Sequence, residues 1–169
     1  MPLIGVELAD LVRGAKQGDA MAMSRLLDAL APYVGRICGA IALDAGEDAA
    51  QETLLTVFRR LRSLRDPDAL YGWVRTIAVR EGLRAARAAA SPVTTPDIPI
   101  AEPHADPALA DDIRCVLERL SPEHRAILVL RDLHGIDEVT AAGLLGVARG
   151  TVKSRLHRAR TLFRRKWAT

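Results

Sequence analysis

The stretch IDEVTAAGLLGVARGTVKSRLHRAR, residues 136–160, contains the clearest structural pattern in the chain. Its spacing predicts two short helices, at about 137–145 and about 149–166, with Gly146 at a tight turn between them. Apolar residues that recur at helical intervals are expected to face inward: Val139, Ala142 and Leu145, then Val152, Leu156, Ala159 and Phe163. Two amphipathic helices joined by so short a turn are typical of a helix-turn-helix.

The second of these helices has a polar and basic side. The side chains predicted to point away from its apolar stripe are Lys153, Ser154, His157 and Arg158. In a helix-turn-helix, the N-terminal end of this helix enters the major groove of DNA, where Lys and Arg donate hydrogen bonds to guanine. Its first backbone amides, at Gly150 and Thr151, can approach a phosphate. The four side chains are therefore predicted to contact bases.

Charge is unevenly distributed, although the formal net charge is only +3. From Val147 to the C-terminus the chain has eight Lys or Arg residues and no Asp or Glu. A basic C-terminal helix can simply be a solvated surface whose cations complement the helix dipole. Eight cations without an acid repel one another, however, unless a polyanion is bound. DNA binding is the favoured interpretation.

Composition argues against several classes of protein. Cys38 and Cys115 are isolated, which fits small buried residues better than a disulfide, a zinc site or a redox sensor. The four histidines are scattered and form no His-Glu-x-x-His motif, so neither a metal nor another cofactor is predicted. The first residues lack a signal-peptide pattern, and no stretch approaches the roughly 20 apolar residues of a membrane span. A cytoplasmic protein is expected.

A proline-rich segment, residues 91–107, divides the chain. It contains five prolines, three acids and no Lys or Arg. Prolines at this density prevent a continuous helix and favour extended backbone, which is typical of a semi-rigid linker. Two small helical domains are predicted beside it, at residues 1–90 and 108–169. Because no convincing period-two alternation occurs, the expected fold class is all-α.

Three helices are expected in the first domain. The first carries an apolar stripe, and Pro32 within it is expected to kink or break the helix. The residues of that stripe are Met23, Leu26, Leu30, Val34, Ile37 and Ile41. The second helix is predicted at about 47–62, with these residues inward: Ala50, Leu54, Val57, Phe58 and Leu61. The third begins near Asp66 and ends near Ala90. In the second domain, further helices are expected around 113–120 and at about 122–132.

Three stretches of the chain resemble the extracytoplasmic-function sigma factors of bacterial RNA polymerase. LERLSPEHRAILVLRDLHGIDEVTAAGLLGVARGTVKSRLHRARTLFRR, residues 117–165, resembles the domain that binds the promoter minus-35 element. DAGEDAAQETLLTVFRRL, residues 44–61, resembles the polymerase-binding helix of that family. LYGWVRTIAVREGLRAAR, residues 70–87, resembles its minus-10 recognition helix.

The resemblance implies roles for individual residues. Base-contacting positions at the minus-35 element match Lys153, Ser154 and Arg158. Positions that contact the DNA backbone match Arg149, Thr151 and Arg155. The surface that docks on the polymerase matches Asp48, Gln51, Glu52 and Leu55. From the residues alone, acids near the start of that helix and arginines near its end could instead complement the helix dipole.

The predicted minus-10 helix combines an aromatic residue with a basic row. Its expected buried stripe is Leu70, Val74, Ala78 and Ala85, and its adjoining face is Trp73, Ile77, Arg80, Arg84 and Arg87. An aromatic beside arginines suits single-stranded DNA, which is held by stacking and phosphate contacts. A tryptophan in this position is more often part of the core, so Trp73 has two interpretations. By resemblance, the loop from Leu64 to Tyr71 captures a flipped base, which adds Tyr71 to the candidates. Many members of the family have Asn and Asp where this chain has Arg80 and Arg84.

By resemblance, the chain is a sigma factor that binds core RNA polymerase, recognises promoter DNA and melts it. It would not be an enzyme, and an inhibitory anti-sigma protein is the implied regulator. A conventional transcription regulator is an alternative, but it leaves the arginines of the minus-10 helix without a purpose. A metal-dependent hydrolase would need a histidine constellation around Glu47, Asp48 and Glu52, and the sequence has none. The sequence leaves open whether the two domains pair in the free protein, and pairing would be expected to hide the DNA-binding faces.

Overall fold

The computed structural model describes residues 5–90 and 107–167, and in both ranges every regular element is helical. The all-α prediction is confirmed. The predicted linker, 91–107, lies outside the described residues except for Pro107, with which a helix begins. The helices form an N-terminal bundle and a C-terminal bundle, and the buried side chains of the two make one continuous hydrophobic cluster.

The N-terminal bundle has four α-helices: α1 (Gly5–Gln17), α2 (Ala20–Ala42), α3 (Gly46–Arg60) and α4 (Leu70–Ala89). Short 3-10 turns lie between them, at Leu43–Ala45, Leu61–Ser63 and Pro67–Ala69. Helix α1 was not predicted from the sequence. Asp19 separates it from α2 and caps α2, because its carboxylate accepts hydrogen bonds from the amides of Met21 and Ala22 at 2.9 and 3.1 Å.

Helix α2 is the central element of this bundle. Five residues of its predicted stripe are completely buried: Leu26, Leu30, Val34, Ile37 and Ile41. The expected break at Pro32 is wrong, since α2 continues without interruption from Ala20 to Ala42. Pro32 is exposed, so water can satisfy the carbonyl of Asp28, which loses its helical donor to the proline.

The same region corrects the expectation that no stretch is apolar enough for a membrane span. By length and composition alone, the helical stretch Ala20–Ser63 contains a segment that meets this criterion. A core helix meets it too, because both kinds of helix need a long apolar sequence. In this structure one side of α2 packs against α1, α3 and α4, with Leu26, Leu30, Val34, Ile37 and Ile41 completely buried.

Helices α2 and α3 approach so closely that their backbones touch. A Cβ added to Gly46 would lie 2.6 Å from the Cα of Gly39. The buried face of α3 comprises Ala49, Thr53 and Val57, followed by Leu61. The prediction that Phe58 faces inward is wrong, because this side chain is 54% exposed. Val57 takes the inward position, and the next residue points about 100° away from it.

The C-terminal bundle contains α5 (Pro107–Glu118), α6 (Pro122–Leu128), α7 (Glu138–Leu145) and α8 (Arg149–Trp167). One π-helical turn, Val129–Leu133, extends α6. Helices α7 and α8 form the predicted helix-turn-helix. Gly146 ends α7 with φ +64°, a left-handed conformation that glycine adopts without strain.

Two predicted burial assignments in this bundle are wrong. Val139 was expected on the inner face of α7 but is 63% exposed, whereas Ala141 is completely buried. The small side chain of Ala141 allows α7 to approach α8 closely. Cys115 was expected to be buried like Cys38, but it lies exposed on α5. The stripe of α8 is as predicted, with Val152, Leu156 and Ala159 buried and Phe163 partly buried.

Gly46→Ala is expected to lower stability, because the new methyl group would collide with the backbone of α2. Separating the two helices should cost about 1 to 3 kcal/mol. Gly39→Ala is the matched control, since a Cβ there meets nothing within 4 Å. Replacing a glycine inside a helix by alanine raises the stability of the helix by up to about 1 kcal/mol. Thermal unfolding followed by circular dichroism should give a lower midpoint for Gly46→Ala only, and equal midpoints would contradict this close approach.

Asp137→Ala should weaken the helix-turn-helix, because Asp137 caps α7. Its carboxylate accepts hydrogen bonds from the amides of Val139 and Thr140, each at 2.9 Å, and from the Thr140 hydroxyl at 2.6 Å. The Thr140 bonds hold the pKa of Asp137 below its usual value. The stabilisation is therefore present above the unfolded-state pKa of about 4 and is lost as the pH falls through the lower folded-state pKa. The difference in thermal midpoint between wild type and variant should be largest at neutral pH and should become smaller in acid. A difference that becomes larger in acid would disprove the cap.

Candidate nucleic-acid interface

Helix α8 presents four exposed side chains, which we call the recognition face: Lys153, Ser154, His157 and Arg158. The burial of Val152, Leu156 and Ala159 against the bundle turns this face outward. Among the residues that the structure describes, neither Lys153 nor Arg158 forms an ion pair. Both cations are thus available to an external anion.

Ion pairs of Arg149 and Arg160 connect α8 to the rest of the bundle. At its start, the Arg149 guanidinium lies 3.4 Å from Glu138, the first residue of α7. Further along, Arg160 donates two hydrogen bonds to Asp132 in the π-helical turn, at 3.0 and 2.5 Å. Arg149 is 71% exposed in this pair, and exposed pairs are weak, so Arg149 can exchange its partner for a phosphate.

The remaining candidates at the minus-35 surface lie beside the recognition face. Thr151 is half-buried, and its carbonyl accepts a hydrogen bond from the Ser154 hydroxyl at 3.1 Å. Arg155 is also half-buried and lies near α6. Burial, and next the charge of Arg155, lower the pKa of His124 on that helix. The structure therefore groups Arg149 and Thr151 at the start of α8, and places Arg155 at its inner edge.

On α4, the structure brings together most of the predicted minus-10 face. Arg80 and Arg84 are exposed, and Arg84 also pairs with Glu81 at 2.6 Å. Trp73 is half-buried: it packs against the core and also lines an open depression of about 500 Å³. One part of Trp73 therefore belongs to the core, and another part is accessible to a ligand such as a DNA base. Other residues lining the depression are Leu64, Arg65, Asp66 and Asp68, all from the predicted base-capture loop. The sequence indicated the loop but not these individual side chains.

Tyr71 does not join that face. Residues two positions apart on a helix point about 200° apart, so Tyr71 and Trp73 lie on nearly opposite sides of α4. The Tyr71 ring makes an edge-to-face contact with Tyr33 of α2, with ring centroids 5.1 Å apart. Arg87 lies at the far end of the predicted face and pairs with Glu123 of α6 at 3.0 Å.

The candidate polymerase-docking residues form a mixed acidic and apolar surface on α3. Asp48, Gln51 and Leu55 are exposed, and Glu52 is half-buried, 4.0 Å from Arg59. Phe58, one turn beyond Leu55, extends the apolar part of this surface. Its spacing of three residues from Leu55 could have indicated that the two side chains share an exposed face. Exposed apolar side chains with a polar rim are typical of protein interaction sites. The acids in the first turn and arginines in the last turn of α3 also complement its dipole.

A further observation concerns the alternatives. In residues 5–90 and 107–167, no group of three or more His, Cys, Asp or Glu side chains could hold a metal ion.

The two bundles pair in this structure, through contacts of α2 and α4 with α6, the π-helical turn and α7. The expectation that pairing hides the DNA-binding faces is wrong for the recognition face, because its four side chains stay exposed.

Comparison with known proteins agrees with this geometry. Residues 110–162 match the family described as Sigma-70, region 4. The chain is 33% identical to the extracytoplasmic-function RNA polymerase sigma factor SigE of Mycolicibacterium smegmatis, over 70% of this chain and 50% of that protein. It is 38% identical to SigM of Mycobacterium tuberculosis, over 68% of this chain and 60% of that protein. The chain thus spans only 50 to 60% of the length of these relatives.

Two solved structures share the fold. The sigma factor RpoE of Bartonella quintana, in complex with the anti-sigma factor NepR, superposes with a TM-score of 0.68 at 23% identity, covering 86% of this chain and 96% of that one. CnrH in complex with the cytosolic domain of CnrY gives a TM-score of 0.62 at 19% identity, covering 93% of this chain and 94% of that one. At these identities the likeness concerns the fold alone.

A further relative matches most of its own length. The chain is 30% identical to the RNA polymerase sigma-E factor of Streptomyces antibioticus, over 73% of this chain and 71% of that protein. With this match, the match to region 4, and the matches to SigE and SigM, the chain belongs to the extracytoplasmic-function family of RNA polymerase sigma factors.

Proposed function

We propose that the chain binds core RNA polymerase and directs it to specific promoters, with catalysis left entirely to the polymerase. The observation that carries this proposal is the recognition face. Its two cations form no ion pair with the described residues and are held outward on the second helix of a helix-turn-helix. The family to which the chain belongs gives the polymerase as the partner. Polymerase and DNA both occupy the bacterial cytoplasm, so the chain acts there, without a cofactor.

Different segments of the chain have different proposed functions. Residues 1–90 bind the polymerase and the minus-10 element, residues 108–169 bind the minus-35 element, and residues 91–107 set the distance between them. Lys153, Ser154, His157 and Arg158 face base edges in the major groove. Arg149, Thr151 and Arg155 lie where the helix start meets phosphates. The depression beside Trp73 is large enough to receive a base taken out of the stack.

Promoter melting follows from selective binding. Exposed Arg80 and Arg84 attract phosphates, and the accessible part of Trp73 offers a stacking surface beside them. These groups hold a separated strand better than a duplex, so binding shifts the population toward open DNA without nucleotide hydrolysis. Tyr71 contacts Tyr33 of α2 instead, so only the exposed part of its side chain is available to DNA.

An anti-sigma protein is proposed as the regulator. The two solved relatives of similar fold were both determined in complexes, one with the anti-sigma factor NepR and one with CnrY. A protein of this kind would stop transcription by covering the docking surface on α3 or the DNA-binding faces. The exposed apolar side chains Leu55 and Phe58 are suited to such a contact.

Lys153→Ala combined with Arg158→Ala should abolish promoter selection. Each lost base contact costs about 1 to 3 kcal/mol, so the loss of both should reduce initiation at cognate sites by roughly thirtyfold or more. The measurement is run-off transcription by core polymerase on a library of genomic promoters. Arg13→Ala with Arg25→Ala is the matched control, because it removes the same charge from ion pairs inside the N-terminal bundle. Duplex binding without any redirection of polymerase would favour a conventional regulator.

Leu55→Ala should weaken the complex with core polymerase by roughly tenfold, the loss expected for an apolar side chain in the centre of an interface. Met21→Ala removes an equally apolar side chain, 70% exposed, from the start of α2 and should leave binding unchanged. Fluorescence anisotropy of the labelled chain, titrated with core polymerase, measures both. Equal affinities for the two variants would remove α3 from the docking surface.

A further inference from the structure

Ion pairs of Arg87 and Arg114 cross the interface between the two bundles. The guanidinium of Arg87 on α4 lies 3.0 Å from the carboxylate of Glu123 on α6. Arg114 on α5 pairs with Asp44, just before α3. Each pair occupies a residue beside a surface with a proposed function, since Arg87 belongs to the minus-10 face and Asp44 adjoins the acidic start of α3.

A buried arginine lies at the centre of this interface. Arg125 of α6 is 6% exposed. Its Nε donates a hydrogen bond of 2.7 Å to the carbonyl of Ile41 on α2, and its Nη1 donates one of 2.6 Å to the carbonyl of Leu120. Ile41 lies in the last turn of α2, where carbonyls lack helical donors and the dipole favours a cation. One side chain thus joins the end of α2 to the C-terminal bundle.

Aromatic contacts continue the interface. The ring of His134, after the π-helical turn, meets Tyr33 of α2 edge to face at 5.7 Å between centroids. Tyr33 also contacts Tyr71. Two of the proposed minus-10 residues, Tyr71 and Arg87, are therefore engaged by α2 or by the C-terminal bundle in this arrangement.

This compact arrangement is too small to contact both promoter elements. By their names the elements lie about 25 base pairs apart, which is roughly 85 Å along DNA at 3.4 Å per pair. A globular chain of this length has a radius of gyration of about 15 Å and a diameter of roughly 40 Å. The bundles must separate before both elements are bound.

We propose that the chain inhibits itself in this closed state. The Glu123 carboxylate takes the place of a DNA phosphate on Arg87. The inference rests on the proposed function and adds its regulation. Because carboxylate and phosphate compete for the same guanidinium donors, DNA can bind Arg87 only after Glu123 has left it.

Closure itself can be measured without any transcription assay. One dye is placed on Cys115, which is exposed, and the other on Met21→Cys in the N-terminal bundle. Cys38 stays unlabelled, since burial raises the pKa of its thiol to about 11. Energy transfer should be high in the free chain and should fall when core polymerase is added. Low transfer in the free chain, or no change with polymerase, would overturn closure and leave the proposed function intact.

The competition is tested by binding of a labelled 20-nucleotide single strand of thymidylates. The background is Lys153→Ala with Arg158→Ala, which silences the recognition face. Glu123→Gln should tighten binding about two- to fivefold, the factor expected for losing one exposed ion pair. Glu7→Gln, which breaks the Arg25–Glu7 pair within the N-terminal bundle, is the matched control and should have no effect.

Arg87→Gln completes the test. It should weaken binding to the strand, and in its presence Glu123→Gln should no longer tighten binding, because the competition is for this one guanidinium. If Arg87→Gln has no effect alone, the proposed minus-10 face is wrong. If it weakens binding but Glu123→Gln never tightens it, the minus-10 face stands and self-inhibition through Glu123 is refuted.

Discussion

Burial of one side of α2 is the constraint on which the other elements depend. Leu26, Leu30, Val34, Ile37 and Ile41 are completely buried, and α1, α3 and α4 all pack against this helix. Burying a side chain of this kind stabilises a fold by roughly 1.5 to 3 kcal/mol, so together they outweigh any surface contact in the chain. Because α3 and α4 are held by α2, their polar sides are fixed outward, and the end of α2 offers the Ile41 carbonyl to Arg125.

The helix-turn-helix has small buried residues on both of its helices. Ala141 and Ala159 are both completely buried, which lets α7 and α8 approach closely enough for the three-residue connection that begins at Gly146. Once Val152 and Leu156 are buried as well, the helical period leaves Lys153, Ser154, His157 and Arg158 no orientation except outward. The basic charge of α8 is therefore exposed by packing, and the ion pairs of Arg149, at the start of the helix, and Arg160, past its middle, add to its alignment.

Periodicity predicted from the sequence what depends on local spacing: the all-α class, most helix bounds and the outward side of α8. It failed where burial depends on whether another helix packs against the residue. Phe58 and Val139 are apolar but exposed, whereas the small Ala141 is buried. Helix α1 was missed because its apolar pattern is short. The contacts between bundles could not be predicted at all, since Arg125 and Ile41 are 84 residues apart and nothing in their local sequence relates them. The roles of individual site residues rest on the family resemblance, and they stay predictions.

The charged contacts between the bundles are weak individually, and this weakness suits a reversible closed state. Arg87 is 59% exposed in its pair with Glu123, and such pairs are worth about 0 to 1 kcal/mol in water. A DNA strand offers several phosphates at once and releases counterions when it binds, so it can displace one carboxylate. Arg125 differs because it is buried: separating the bundles exposes its guanidinium to water, which replaces the Ile41 carbonyl as acceptor. Opening therefore leaves no buried charge without a partner, and a polymerase surface of ordinary size supplies enough binding free energy to drive it.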